Sequence, residues 1–400
     1  MHAQGRDGCV GVVYEYLGGV KESKRTILFF ARDPGGVNAI LPVYQKMKGH
    51  YHAIIYAKDF GLKMLGQENV FVHDIEAECN SQSAEQIMLF LSRVHPDIVI
   101  TGTSLDDYTE RFLWKACAKL HIKSFAVLDQ WMNLGIRFSE YGYGQDDLYR
   151  LNPKHSYLPY KILVMDELAK QDLVKDGIAE NRICITGQPH FDVVADKYER
   201  AKEIYGDEAW NVVYVSEPII QDYDNNDEAN RYWGYNERTI FFHLYHSLQK
   251  LAEEEGRQVR LVIRPHPREN AEYWDSLAVQ MQTGRISLEC DREKDSFDII
   301  KSADLICGMS SMFLLEAAIC RKPIVSIMIG LKRKNPFVLD EIGICKSILS
   351  EGDLYEQLRQ ISNHEDFCLD FEFIKGAANQ VCALVGGEMS DEEASDSWRK

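Results

Sequence analysis

The chain has 400 residues, 45% of them hydrophobic and 27% charged, and a formal net charge of −17 at pH 7. That length suggests two domains, each large enough to bury its own core, and the composition is that of a globular protein. So acidic a chain argues against a general nucleic-acid binder, because phosphate-backbone binding needs a concentrated basic face; an anionic small ligand remains compatible with basic side chains focused in one cleft.

Residues 1–24 read as an N-terminal extension. RTILFFA (25–31) is a short apolar strand, followed by DPGG and by VNAILPVYQKMK, which has helical spacing although Pro42 must kink that helix or delay its start. HAIIYA (52–57), NVFVHD (69–74), DIVITGTS (97–104), KSFAVLD (123–129) and KILVMD (161–166) read as further buried strands, with SAEQIMLFLSRV and YTERFLWKACAKLH as helices between them. Alternation of this kind is the signature of a parallel, doubly wound sheet. The charged stretch DKYERAKEIYGDEA (196–209) then separates ICITGQPHFD from a second series: NVVYVSEP (211–218), RLVIRP (260–265), RISLEC (285–290), ADLICGM (303–309) and KPIVSIMI (322–329). Helical stretches around 236–255, 311–320 and 353–362 intervene. The expected organisation is an α/β chain of two Rossmann-like domains, 25–190 and 210–385, with parallel sheets facing a central cleft and a linker at 191–209. The tail 386–400, GGEMSDEEASDSWRK, is acidic and rich in small residues and is expected to be disordered.

Several strand ends carry residues suited to chemistry. RLVIRPHPREN (260–270) places Arg264 and His266 directly after an aliphatic run, where the prolines must end the strand. In open parallel sheets that rim is where ligands bind. In SADLICGMSSMFLLEAAICRKPIVSI (302–327), a strand ends at Gly308 and Ser310 and Ser311 can cap the next helix, whose free N–H groups and dipole form an anion site. Glu316, six residues beyond Ser310, is placed to accept hydrogen bonds from ribose hydroxyls. Arg264, His266, Ser310 and Ser311 are expected to converge on one rim and hold phosphates, with His266 stabilising or protonating a phosphate leaving group.

These motifs, RPHPRE, GMSSMFLLEAA and the following KPIVSI, resemble the C-terminal half of GT-B glycosyltransferases, in particular the bacterial sialyltransferase, polysialyltransferase and CDP-glycerol glycerophosphotransferase branches. The resemblance implies a GT-B fold in which His266, Pro267, Ser310 and Ser311 hold the nucleotide phosphate of a CMP or CDP donor. Bacterial sialyltransferases also carry an acidic pair and a glycine after an N-domain strand. The matching place here, VLDQWMNLGIRF (127–138), retains Asp129 as the implied general base but has Gln130 and Trp131 in place of the second acid and the glycine.

ARDPGGVNAI (31–40) offers another rim loop, where Gly35 and Gly36 allow close backbone approach and Asp33 can contact a sugar. Neither GxGxxG nor GxxxxGK[ST] is present, so NAD and P-loop chemistry are unsupported and no cofactor is expected. GTS (102–104) and QPHFD (188–192) also fall at strand ends, with His190 read as structural, at the crossover between domains. FFHLYHSLQKL reads as an amphipathic core helix rather than a metal site despite His243 and His246. DYDNNDEAN (222–230) lacks the glycine and terminal glutamate of an EF-hand and reads as a mobile cleft loop. No metal is expected. The ten cysteines are scattered without a CxxC pair; Cys307 and Cys320 read as reduced core residues.

No apolar run approaches the ~20 residues needed to span a bilayer, and MHAQGRDGCVGVVYEYLGG has no signal-peptide pattern, so a cytoplasmic protein without a transmembrane segment is expected. Together the motifs point to a metal-independent transferase moving a sugar from a CMP-, CDP- or UDP-type donor to a glycan or small hydroxyl acceptor in surface-glycan or glycoconjugate synthesis. Asp129 and His266 would be catalytic; Asp33, Gly35, Gly36, Arg264, Ser310, Ser311 and Glu316 would bind substrate. Two alternatives remain open: a UDP-N-acetylglucosamine 2-epimerase, which shares the serine-to-glutamate spacing, and a non-catalytic nucleotide-binding scaffold.

Overall fold

A computed structural model of the protein describes residues 24–142, 144–206, 208–223, 232–270, 272–282, 284–363 and 371–396. Twelve strands form two parallel sheets among these residues. The first contains β1 (Thr26–Ala31), β2 (His52–Ala57), β3 (His73–Asp74), β4 (Ile98–Thr101), β5 (Lys123–Val127), β6 (Lys161–Val164) and β7 (Ile183–Ile185), in the order β3-β2-β1-β4-β5-β6-β7. The second contains β8 (Trp210–Val215), β9 (Val259–Arg264), β10 (Ile286–Cys290), β11 (Leu305–Gly308) and β12 (Ile324–Ser326), in the order β10-β9-β8-β11-β12. Every strand pair is parallel.

Both orders reverse direction beside their first strand, at β1/β4 and at β8/β11. Adjacent loops leave the sheet on opposite sides there and open a crevice at the carboxyl ends. Apolar strand residues account for the burial: Ile27, Phe29, Ile98 and Ile100 sit in one core, and Val212, Val213, Leu261 and Ile306 in the other, all at or near zero exposure. Helices cover both sheet faces, which suits strands apolar on both sides.

Several sequence expectations need correction. The helix after β1 runs from Pro34 to Met47 with Pro42 inside it, so the proline does not delay its start. Of the strand expected at 69–74 only His73 and Asp74 pair, against Tyr56 and Ala57, because this is the sheet edge and has one neighbour. The stretch expected as a linker begins with a helix, Phe191–Arg200, whose Phe191 and Val194 join the second core. The tail expected to be disordered from 386 instead continues a helix, Ala377–Asp396, that returns to the first domain. Ala378, Val381, Val385 and Met389 pack into that core, and Arg25 Nη1 donates to the Met389 carbonyl at 2.7 Å. Its small residues lower apparent hydrophobicity while permitting close helix approach, which is why composition alone misreads it. Residues 397–400 lie outside the described residues, as does most of 222–230, of which only Asp222 and Tyr223 are described.

His243 and His246 belong to the helix Glu237–Glu255, which buries Ile240, Phe241, Leu244 and Leu248 and ends at Gly256 with φ +69°. His243 Nδ1 lies 2.8 Å from Glu351 Oε1. No cluster of three possible metal ligands occurs among the described residues, and no helix there is long and apolar enough to cross a membrane. Every described cysteine is a free thiol; Cys307 is buried and Cys320 partly so.

Candidate active site

The two crevices face each other across a cavity of about 290 Å³. From the first domain it is lined by Asp33, Gly35, Thr103, Asp129 and Arg137; from the second, by Glu217, Asp222, His266, Arg268 and the Ser310–Ser311 pair; Gln188, His190 and Glu316 close one side.

Asp33 is the N-cap of the helix Pro34–Met47, yet its side chain makes no capping bond. It is held by Arg32 Nη1 at 3.1 Å and by Ser104. Burial, partly opposed by Arg32, pushes its carboxyl up to about 6. Ser104 Oγ in turn lies 3.0 Å from Glu110 Oε1, a buried carboxyl pushed up to about 8 by burial and by Asp107. Asp129 follows β5 and is buried; its pKa is raised by desolvation and opposed by Arg137, whose Nη1 lies 3.4 Å from Oδ1. Arg137 is itself fixed by Thr103, donating to the carbonyl at 3.0 Å and to Oγ1 at 2.8 Å. Gly35 leaves room for the Asp129 carboxylate, since a Cβ there would fall 1.8 Å from Asp129 Oδ2 and force that side chain to move.

On the opposite wall, the His266 backbone N–H donates to Glu269 Oε2 at 2.6 Å, and Nδ1 accepts from the Arg268 N–H at 3.2 Å. With Nδ1 an acceptor, the neutral ring carries its proton on Nε2. Burial and the Arg268 charge hold the imidazole pKa down to about 3, so the ring is neutral at ordinary pH. A neutral ring with its proton on Nε2 can offer a hydrogen bond into the cleft.

Ser311 is the N-cap of the helix Met312–Ile319 and accepts from the Phe313 N–H at 3.2 Å. Ser310 donates both its N–H (2.6 Å) and its hydroxyl (2.9 Å) to Glu217, at the end of β8. Burial raises the Glu217 pKa and the Ser310 donors oppose the rise. Arg268 forms a two-point pair with Asp222, both contacts at 2.8 Å. Glu316 Oε1 lies 2.5 Å from His190 Nε2, which ties the domain crossover to the second domain.

The fold thus brings together Asp33, Gly35, Asp129, His266, Ser310, Ser311 and Glu316. Two expected site residues lie elsewhere. Arg264 turns from the cleft to pair with Asp291 at 2.7 Å, since β9 and β10 are neighbours and their ends share an edge of the sheet. Gly36 packs on the backbone of Gly102, where a Cβ on Gly102 would fall 2.6 Å from Gly36 Cα; this glycine contact lets the helix approach β4. Sequence reasoning missed Arg137, Glu217, Asp222 and Arg268, and His190, read as structural, lines the cleft. Glu217 had a signal: like Asp33 and Asp129, it is a charged residue directly beyond an apolar strand.

No protein-family model matches the chain, and no curated protein matches it. Solved structures do. The UDP-GlcNAc 2-epimerase from Methanocaldococcus jannaschii aligns with a TM-score of 0.62 at 13% identity, covering 90% of this chain and 99% of that one. The UDP-GlcNAc 2-epimerase from Neisseria meningitidis, solved bound to UDP-GlcNAc, aligns with a TM-score of 0.62 at 15% identity, covering 91% and 100%. The one from Rickettsia bellii gives 0.51 at 13%, covering 86% and 97%.

Proposed function

This chain has the two-domain GT-B fold expected from its sequence, and we propose that its cleft binds a nucleotide-activated sugar and that the protein transfers the sugar to a hydroxyl acceptor, as a metal-independent glycosyltransferase in glycan or glycoconjugate synthesis. One observation carries this reading: two desolvated carboxylates, Asp33 and Asp129, stand on one wall of a single cleft, with a neutral His266 and the Ser310–Ser311 helix start on the other.

In this reading the second domain holds the nucleotide. The Ser310 donors and the start of the helix Met312–Ile319 meet phosphate oxygens, and Glu316 meets the ribose. Asp129 removes the acceptor hydroxyl's proton as the acceptor oxygen bonds to the anomeric carbon. The bond from that carbon to the donor phosphate breaks, its electron pair leaving with the nucleotide. His266 Nε2–H and the helix dipole stabilise the charge that develops there. The raised pKa of Asp129 strengthens it as a base, and Arg137 keeps the carboxylate aimed.

UDP-GlcNAc in the structure of the Neisseria meningitidis relative supports a UDP-type donor. The sequence resemblance to sialyltransferases and glycerophosphotransferases supports a CMP or CDP donor. A hydrolysing UDP-N-acetylglucosamine 2-epimerase is the second reading, favoured by the names of the similar structures and by the Ser310 to Glu316 spacing. Incubation with UDP-GlcNAc and no acceptor separates them. A transferase leaves the nucleotide sugar essentially intact until an acceptor is added, whereas a hydrolysing epimerase releases UDP and a changed sugar at once.

A further inference from the structure

The loop that carries Asp129 lines two cavities. Beside the central cleft lies a second one of about 270 Å³, which shares Met132, Asn133 and Trp233 with the first and adds Trp131. Both domains wall it: Tyr149, Asp172 and Asp176 on one side, Lys334, Pro336 and Val338 on the other.

Its chemistry differs from that of the central cleft. Trp131 is fixed in advance, its Nε1 donating to Asp166 Oδ2 at 2.7 Å and its ring stacked on Phe191 at an interplanar angle of 27°. Trp233 is likewise held, edge-on to Tyr223 and Tyr232. Indoles ordered beforehand lose little freedom on binding. Their negative faces suit the weakly positive C–H faces of a sugar ring. Two ion pairs lie here, Lys175 with Asp172 at 2.9 Å and Lys334 with Glu341 at 2.8 Å, while Asp176 accepts from Tyr149 Oη at 3.1 Å and Asp146 and Arg150 also line the cleft. Matched pairs create no strong field of one sign, but they supply donors and acceptors for hydroxyl groups.

We propose that this second cleft is an acceptor subsite for an uncharged oligosaccharide, whose reacting hydroxyl is directed past Trp131 and Asn133 toward Asp129. The inference rests on the nucleotide-sugar reading above and deepens it by naming the acceptor class.

The test screens the full chain, saturated with UDP, against an array of neutral, sialylated and sulfated oligosaccharides. Every hit is repeated with Asp172→Ala, and calorimetry with UDP and CMP runs alongside. Neutral glycans are expected to bind and to weaken at least tenfold in Asp172→Ala, with nucleotide affinity unchanged. Binding of anionic glycans only, of none, or of neutral glycans unaffected by Asp172→Ala would overturn the acceptor subsite while the nucleotide site stood. Failure of the native protein to bind any nucleotide would remove the underlying reading and this one with it.

Discussion

The Glu217 carboxylate sits on the N–H and hydroxyl of Ser310, at 2.6 and 2.9 Å, where the sequence led us to expect a phosphate. Asp222, five residues later, occupies Arg268 in the same manner. One short segment after β8 thus places carboxylates on two of the donor groups that an anionic ligand would use. A nucleotide must displace these carboxylates or bind beside them. Because Gln can still accept from Ser310 without carrying charge, Glu217→Gln is expected to tighten nucleotide binding about tenfold, or about 1.4 kcal/mol. Isothermal calorimetry measures this directly; weaker binding would show that the carboxylate supports the ligand.

The same contact sets a pH dependence. Burial raises the Glu217 pKa, so its proton is retained to higher pH than in an ordinary glutamate. As pH rises through that titration the group gains charge and repels phosphate. Affinity for UDP-GlcNAc, whose two phosphates keep constant charge in this range, is therefore expected to fall with rising pH, and the slope should flatten in Glu217→Gln. His266 contributes no slope near neutrality, because its pKa is held down to about 3.

Gly35 offers a steric test of the proposed base. A Cβ there falls 1.8 Å from Asp129 Oδ2, and the carboxylate is the more easily moved partner. Gly35→Ala is expected to slow transfer roughly a hundredfold, the scale of losing a positioned base, while shifting the melting temperature little. Asp129→Asn should match it in rate. A normal rate in either variant would pass the role to Asp33, whose carboxyl, pushed up to about 6, would then give an acidic limb near pH 6 below which transfer fails.

Much of this site was legible because parallel strands announce their ends. Apolar runs broken by Asp33, Asp129, His266 and Ser310 mark four carboxyl ends, and all four residues line the cleft. What was not legible depends on which ends become neighbours. Glu217 and Ser310 are 93 residues apart and meet only because β8 and β11 are adjacent. Arg264 looked equivalent to His266, but its side chain is claimed by Asp291 across the β9–β10 edge. The terminal helix was missed because its apolar face is sparse and its partner lies more than 300 residues earlier, as in the Arg25 to Met389 contact.

That helix yields a stability prediction. Removing residues 386–400 deletes buried Met389 and the Glu388 contacts with Lys123 and Tyr160. Met389 alone contributes about 1.5 to 3 kcal/mol through burial. The truncated protein is expected to melt at a clearly lower temperature in calorimetric scans; an unchanged transition would mean that the segment adds nothing to the fold.

Nucleotide binding at His266 tests the central claim most directly. Calorimetric titration of the native protein and of His266→Ala with UDP, CDP and CMP, with circular dichroism confirming that both are folded, isolates the phosphate contact. The expected result is binding of at least one nucleotide by the native protein and a ten- to hundredfold loss in His266→Ala, equivalent to about 1.5 to 3 kcal/mol for a charge-assisted hydrogen bond. Equal affinity in the two proteins, or no binding by the native one, would contradict a nucleotide site in this cleft.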